Sequence, residues 1–209
     1  MVKGIIFDFD GVITDSESFY LKTVLEYLKR KNIHPKLQDL VCLLGQDMND
    51  IALNLDSIFK LNEPIQQIID DSLQVYDEMV NAIEFKPMPG LIDFLKKAKS
   101  LDIKMAIASS SDMPYLKKHL NNFGITDYFQ FVLSGTDFEK SKPDPEIYNV
   151  AAAKLGINKE NLIIIEDSFA GLTAGNAAGI KTIGLKLSEV KQNTSIAHQQ
   201  VNSFEEIEI

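Results

Sequence analysis

Five short apolar runs constrain this chain more than any other feature. Ile5–Phe9, Ile103–Ala108, Phe131–Ser134, Leu162–Glu166 and Lys181–Leu185 are too brief for helices and carry β-branched residues, as buried parallel strands do. Segments with helical spacing lie between them: Leu91–Ser100, Met113–Phe123, Glu146–Leu155 and Phe169–Ala178. Strands that alternate with helices of this length call for right-handed β-α-β crossovers. The expected fold is therefore α/β, a Rossmann-like parallel sheet with helices on both faces.

Residues 16–85 break the rhythm. Phe19, Tyr20, Thr23, Val24, Tyr27 and Leu28 fall at helical spacing, as do Ile65, Ile68, Ile69, Leu73 and Tyr76, and no convincing strand separates them. The spacing predicts an all-helical unit over 16–85, inserted after the first strand of a core made of 1–15 and 86–209. Lys86-Pro87-Met88-Pro89-Gly90 suits a stiff return into that core. Ser188–Ile209 reads as a weakly patterned tail.

Charge and composition exclude several partners. The 209 residues carry 21 Lys and Arg against 30 Asp and Glu, a net charge of −9, which repels nucleic-acid phosphates and anionic lipid. No stretch approaches the ~20 apolar residues of a membrane span. The single cysteine, Cys42, excludes an internal disulfide and offers no thiolate cluster. An unprocessed, soluble, cytoplasmic monomer with neither nucleic acid nor membrane as partner is expected.

The chemistry-bearing residues stand at strand ends. Asp8 and Asp10, in Asp8-Phe9-Asp10-Gly11-Val12, follow the first run, at the carboxyl edge where open parallel sheets bind ligands. A polar turn alone would also use Asp and Gly here. Glu166 and Asp167 close the fourth run, and capping of the next helix is already met by Ser168. Converging carboxylates make a hard oxygen site whose expected occupant is Mg²⁺. Ser109 opens a serine run at a helix start, a natural phosphate cradle or an ordinary cap. Lys142 lies in Ser141-Lys142-Pro143-Asp144-Pro145-Glu146, where Asp144 reads as an N-cap and Pro145 as the first helical residue. Nucleophilic carboxylate, second acid, hydroxyl, lysine and distal acid pair are what phosphoryl transfer to a carboxylate requires.

These ordered motifs closely resemble the haloacid dehalogenase superfamily, in its phosphatase branch with a small helical cap that includes β-phosphoglucomutase. The resemblance runs through Phe7–Ser16, Ala106–Ser111, Leu133-Ser134-Gly135, Ser141–Tyr148 and Ile165–Gly171. It implies that Asp8 attacks phosphorus while Asp10 protonates the leaving oxygen and then activates water. It also implies that Asp8, the Asp10 carbonyl, Asp167 and Glu166 hold Mg²⁺, and that Ser109 and Lys142 bind the transferring phosphoryl oxygens. Phe9 and Ser110, inside two of the motifs, are expected beside the substrate. A receiver-like regulatory domain shares the phospho-aspartate, but would place that Asp after a middle strand.

By the same resemblance residues 16–85 form the cap that closes over the site. Gly45, Gln46, Asp47, Met48 and Asn49 match the cap loop that faces substrate, Met48 stands where β-phosphoglucomutases resemble one another in having arginine, and Tyr20 stands near their cap histidine. Gripping a second phosphate calls for Arg or Lys. Yet residues 16–85 carry 12 acids and six bases, and Lys60 is the only Lys or Arg from Leu37 to Phe85. The expected activity is Mg²⁺-dependent hydrolysis of a small phosphorylated metabolite, sugar-phosphate-like, with phosphosugar mutase as the alternative.

Overall fold

The computed structural model describes residues 1–44, 48–190 and 192–209. By internal contacts the chain divides into two compact units, Met1–Asp15 with Phe85–Ile209, and Ser16–Glu84.

The first unit is built on strand β1 (Gly4–Phe7), and the second contributes helices α1 (Ser16–Arg30), α2 (Met48–Phe59) and α3 (Ile65–Val80). After them the first unit resumes with α4 (Leu91–Ser100), β2 (Lys104–Ser109), α5 (Met113–Phe123), β3 (Val132–Ser134), α6 (Glu146–Leu155), β4 (Leu162–Glu166), α7 (Phe169–Ala177), β5 (Lys181–Leu185) and β6 (Gln199–Val201). All neighbouring strands are parallel, in the order β3-β2-β1-β4-β5-β6. The predicted strands and crossover helices are present, to within a residue or two at their ends.

Side-chain alternation explains why both faces need helices. Ile5, Phe7, Met105, Ile107, Ile163, Ile165, Ile183 and Leu185 join one buried cluster with Leu91, Phe94 and Leu95 of α4 and Leu116 and Leu120 of α5. The intervening residues Ile6, Ala106, Ala108, Leu162 and Ile164 join a second with Ile147, Tyr148, Ala151 and Leu155 of α6 and Ala174 of α7. A period of two sends successive side chains to opposite faces. Burying one such Ile stabilises by roughly 1.5–3 kcal/mol, so neither face tolerates water.

The tail differs from expectation. β6 extends the sheet beyond β5, pairing Leu185 with Val201, and Val201, Phe204 and Ile207 are buried in the first cluster. Phe204 stacks at 5.3 Å from Phe94.

In the second unit, α1 and α2 each pack against α3. Phe19, Leu21, Val24, Tyr27 and Leu28 of α1 are buried, with Ile51, Ala52 and Leu55 of α2 and Ile68, Ile69 and Val75 of α3. Leu73 faces outward at 43% exposure, contrary to the predicted stripe; Val75, one helical turn beyond Ser72, takes the inner position. No helix among the described residues is long and apolar enough to cross a membrane.

His119 of α5 is buried against rings of Tyr115, Phe85, Phe123 and Phe9 at 4.5, 5.0, 5.7 and 6.4 Å. Its Nδ1 has no hydrogen-bond partner among the described residues. Burial pushes the imidazole below its ordinary value, Lys118 pushes the same way and Asp10 opposes. The unfolded chain therefore binds the proton more readily, and stability falls as pH drops through the unfolded imidazole value of about 6.5. Thermal melts between about pH 7.5 and about pH 5.5 should show a steeper loss for the wild type than for His119→Phe. Identical slopes would mean that His119 takes no part in the acid response.

Candidate active site

The order β3-β2-β1-β4-β5-β6 reverses direction between β1 and β4. Crossovers diverge there and leave a crevice at the carboxyl ends of the two strands. Asp8 follows β1 directly, its N–H donating to the Ile165 carbonyl at 2.9 Å. Glu166 ends β4, and Asp167 follows it. Asp8, Glu166 and Asp167 are all buried and offer carboxylate oxygens within 4.8 Å of one another.

Lys142 reaches into this cluster from the loop between β3 and α6. Its Nζ donates to Asp8 Oδ1 at 2.5 Å, to Glu166 Oε1 at 2.8 Å and to the Ala108 carbonyl at 3.0 Å, and lies 4.8 Å from the Tyr148 ring centre. Asp144 Oδ1 accepts the Glu146 N–H at 3.0 Å in an Asx turn, but the N-cap of α6 is Pro145, without a side-chain cap, one residue later than the sequence suggested. Burial works against the Lys142 ammonium, but the charges of Asp8 and Glu166 outweigh it and hold the proton on well above the ordinary lysine value.

The two carboxyls that share this lysine differ. Burial pushes Asp8 well above the ordinary carboxyl value, with Lys142 opposing and Glu166 and Asp10 adding to the rise. Burial also opposes ionisation of Glu166, yet Lys142 and Ser168 hold it below its ordinary value. Glu166 Oε2 accepts the N–H groups of Asp167 and Ser168 at 3.0 and 2.9 Å and the Ser168 hydroxyl at 2.9 Å, and Tyr148 donates to Oε1 at 3.0 Å. A carboxylate with this many donors is fixed in place and charge.

Backbone makes room for the acids. A Cβ on Gly171 would lie 1.6 Å from Glu166 Oε1, and one on Gly11, at φ +77°, would lie 1.9 Å from Asp167 Oδ2. Because Glu166 cannot swing away from its donors, Gly171→Ala should cost about 3 kcal/mol, seen as a melt roughly 6–12 °C lower. An unchanged melt would mean that Glu166 is not held as described. The donor set, three buried carboxylates against one ammonium, fits a hard divalent cation of the Mg²⁺ class.

Ser109 ends β2, is buried, and accepts the Ser111 N–H at 3.0 Å. Asp10 is bonded by two hydroxyls, Ser111 Oγ to Oδ2 at 2.5 Å and Tyr115 Oη to Oδ1 at 3.1 Å. Asp8, Asp10, Ser109, Lys142, Glu166 and Asp167 thus all belong to one sheet edge of the first unit. Ser110 is exposed there, whereas Phe9 is wholly buried in the core, so its side chain packs instead of facing a ligand. Tyr20, Met48 and Asn49 lie in the helical unit, where the Tyr20 hydroxyl donates to Met48 Sδ at 4.0 Å and burial pushes that phenol up to about 12. Gly45, Gln46 and Asp47 lie outside the described residues. Tyr148, Ser111 and Tyr115 were not among the predicted site residues. Tyr148 stands one turn into the helix that Lys142 precedes, and Tyr115 stands one turn beyond Ser111, spacings that a helix start makes meaningful.

Comparison with known proteins agrees with this arrangement. Residues 5–185 match the family described as haloacid dehalogenase-like hydrolase. YhcW of Bacillus subtilis, named as a candidate phosphatase, is 31% identical over 187 residues, covering 88% of this chain and 83% of that protein. Beta-phosphoglucomutase of the same organism is 29% identical over 200 residues, covering 88% and 83%. A haloacid dehalogenase family hydrolase of Deinococcus radiodurans, solved with phosphate and sodium bound, shares the fold with a TM-score of 0.86 at 23% identity, over 98% of this chain and 93% of that one. A match that spans the sheet from β1 to β5, joined to a relative above 30% identity, settles descent: the chain belongs to the haloacid dehalogenase-like hydrolases.

Proposed function

We infer that this hydrolase is a Mg²⁺-dependent phosphatase of small phosphate monoesters, acting through a phospho-aspartate on Asp8. The observation that carries the reading is Lys142 Nζ held between Asp8 and Glu166 at 2.5 and 2.8 Å within the buried acid cluster. A carboxylate attacks a phosphate dianion only where cations offset their repulsion, and Lys142 supplies one such charge at the attacking oxygen. Asp8, Glu166, Asp167 and the Asp10 carbonyl would hold Mg²⁺, which when bound supplies the remaining positive charge beside the phosphoryl oxygens.

An Asp8 oxygen forms a bond to phosphorus as the bond from phosphorus to the ester oxygen breaks, and Asp10 gives its proton to the departing alkoxide. Asp10, now a carboxylate, takes a proton from water as the water oxygen attacks the phospho-aspartate. Phosphate leaves, Asp8 is a carboxylate again and Asp10 is protonated again. Ser109 and Lys142 bind the transferring oxygens throughout.

The helical unit of residues 16–84 acts as the cap that selects substrate. Its acid excess, and Met48 in place of arginine, favour an ester whose remainder is neutral or cationic, such as a sugar or polyol phosphate. The negative chain repels nucleic acid, and the single cysteine suits the reducing cytoplasm. Likeness to beta-phosphoglucomutase keeps a phosphosugar mutase as the second reading. A panel of phosphorylated metabolites with Mg²⁺ decides between them: stoichiometric release of inorganic phosphate is expected. Rapid interconversion of sugar phosphates with negligible phosphate release would establish the mutase.

A further inference from the structure

Two hydroxyls grip the Asp10 carboxyl, one on each oxygen, and both come from the segment that opens α5. Ser111 Oγ bonds Oδ2 at 2.5 Å and Tyr115 Oη bonds Oδ1 at 3.1 Å. Two partners on two oxygens fix the plane of a carboxyl group as well as its position, because rotation about its axis breaks both bonds.

The grip is itself anchored. Asp112 caps α5 by accepting the Tyr115 N–H at 2.8 Å, so the residue bearing the phenol is set by the first turn of the helix. The Tyr115 ring then packs edge-on against Phe9 at 5.8 Å and against His119 at 4.5 Å. Phe9 is the residue between Asp8 and Asp10, and it is wholly buried. Its burial therefore has a second consequence: it provides the wall that holds the phenol over Asp10. Ser111 is set by its own backbone, whose N–H donates to Ser109 Oγ at 3.0 Å and whose carbonyl accepts the Ser134 hydroxyl at 2.8 Å.

We propose that Ser111 and Tyr115 are positioning residues for the general acid, holding the Asp10 carboxyl in the orientation from which it protonates the leaving oxygen. The inference rests on the reading of Asp10 as that acid. Neither hydroxyl exchanges a proton with substrate, and each acts through Asp10. Misorientation of a proton donor by a fraction of an ångström lowers the rate where protonation is needed and spares it where it is not.

Leaving groups separate the two situations. An alkyl phosphate departs as a strongly basic alkoxide that needs the proton, whereas p-nitrophenolate departs without it. kcat/KM reports only steps up to loss of the leaving group, so water attack on the phospho-aspartate does not enter the comparison. The readout is the ratio of kcat/KM for an alkyl phosphate, glycerol phosphate, to that for p-nitrophenyl phosphate, in the full chain with Mg²⁺. Tyr115→Phe and Ser111→Ala should each lower this ratio about tenfold. In an Asp10→Asn background neither change should lower it further. A ratio equal to the wild type's in both variants, with both substrates slowed alike, would reduce Ser111 and Tyr115 to structural roles and overturn the proposal. Asp10→Asn is the control for the underlying reading: it should lower the ratio more than either variant, and a ratio it leaves unmoved would remove Asp10 as the acid and the proposal with it.

Discussion

An Asp8→Asn variant should release phosphate from every accepted ester at least about 10⁴-fold more slowly than the wild type while folding as well or better. An amide nitrogen does not attack phosphorus, so the covalent route closes for good and poor leaving groups alike. Stability moves the other way because burial disfavours the Asp8 charge more than any other influence on it. A neutral side chain of the same shape removes that cost, and Lys142 keeps its bond to Glu166 at 2.8 Å. The pair of measurements is steady-state phosphate release and a thermal melt. Activity within about a hundredfold of the wild type would place the nucleophile elsewhere.

Lys142→Met should cost both stability and rate. The ammonium is 5% exposed and is the cation between Asp8 and Glu166, whose side chains are 10% and 0% exposed. Removing one partner from a buried ionic cluster leaves like charges facing each other in a poorly polarisable place, at a cost of about 3–5 kcal/mol. For a chain of this size that lowers the melt by roughly 10 °C. Added Mg²⁺ should recover part of the loss, since a cation bound by the same carboxylates offsets their repulsion, and a chelator should abolish the recovery. Phosphate release should fall about a thousandfold in addition, as for loss of a donor aimed at developing charge. A variant that melts with the wild type would show that Lys142 does not neutralise the cluster.

Much of this was legible in the sequence because parallel strands buried on both faces leave unbroken apolar runs, and Leu162-Ile163-Ile164-Ile165 can be little else. The candidate acids were legible for a related reason: a polar turn would account for Asp8 and Asp10 alone, but acid pairs that close two separate apolar runs at one sheet edge call for a cation. Gln199-Gln200-Val201 carries one apolar residue and was read as tail, because an edge strand needs only Val201 inward and a neighbour's backbone to pair with. Phe9 was read from its place in the motif, but alternation sends it to the same side as Ile5 and Phe7, away from Asp8. Tyr148 and Tyr115 carry no signature of their own. Each reaches the site through a helix start fixed by the preceding strand, so its spacing gains meaning only once that start is placed.

The central claim is that phosphorus passes through Asp8. The most direct measurement is acid quenching of the Asp10→Asn variant during turnover, followed by borohydride reduction and peptide mass spectrometry. With p-nitrophenyl phosphate, whose leaving group needs no proton, loss of the carboxylate that activates water should make the phospho-enzyme accumulate, and homoserine should appear at position 8. A phosphoryl group found on another residue, or an enzyme that releases phosphate at the wild-type rate with no phosphoryl group trapped, would contradict the account.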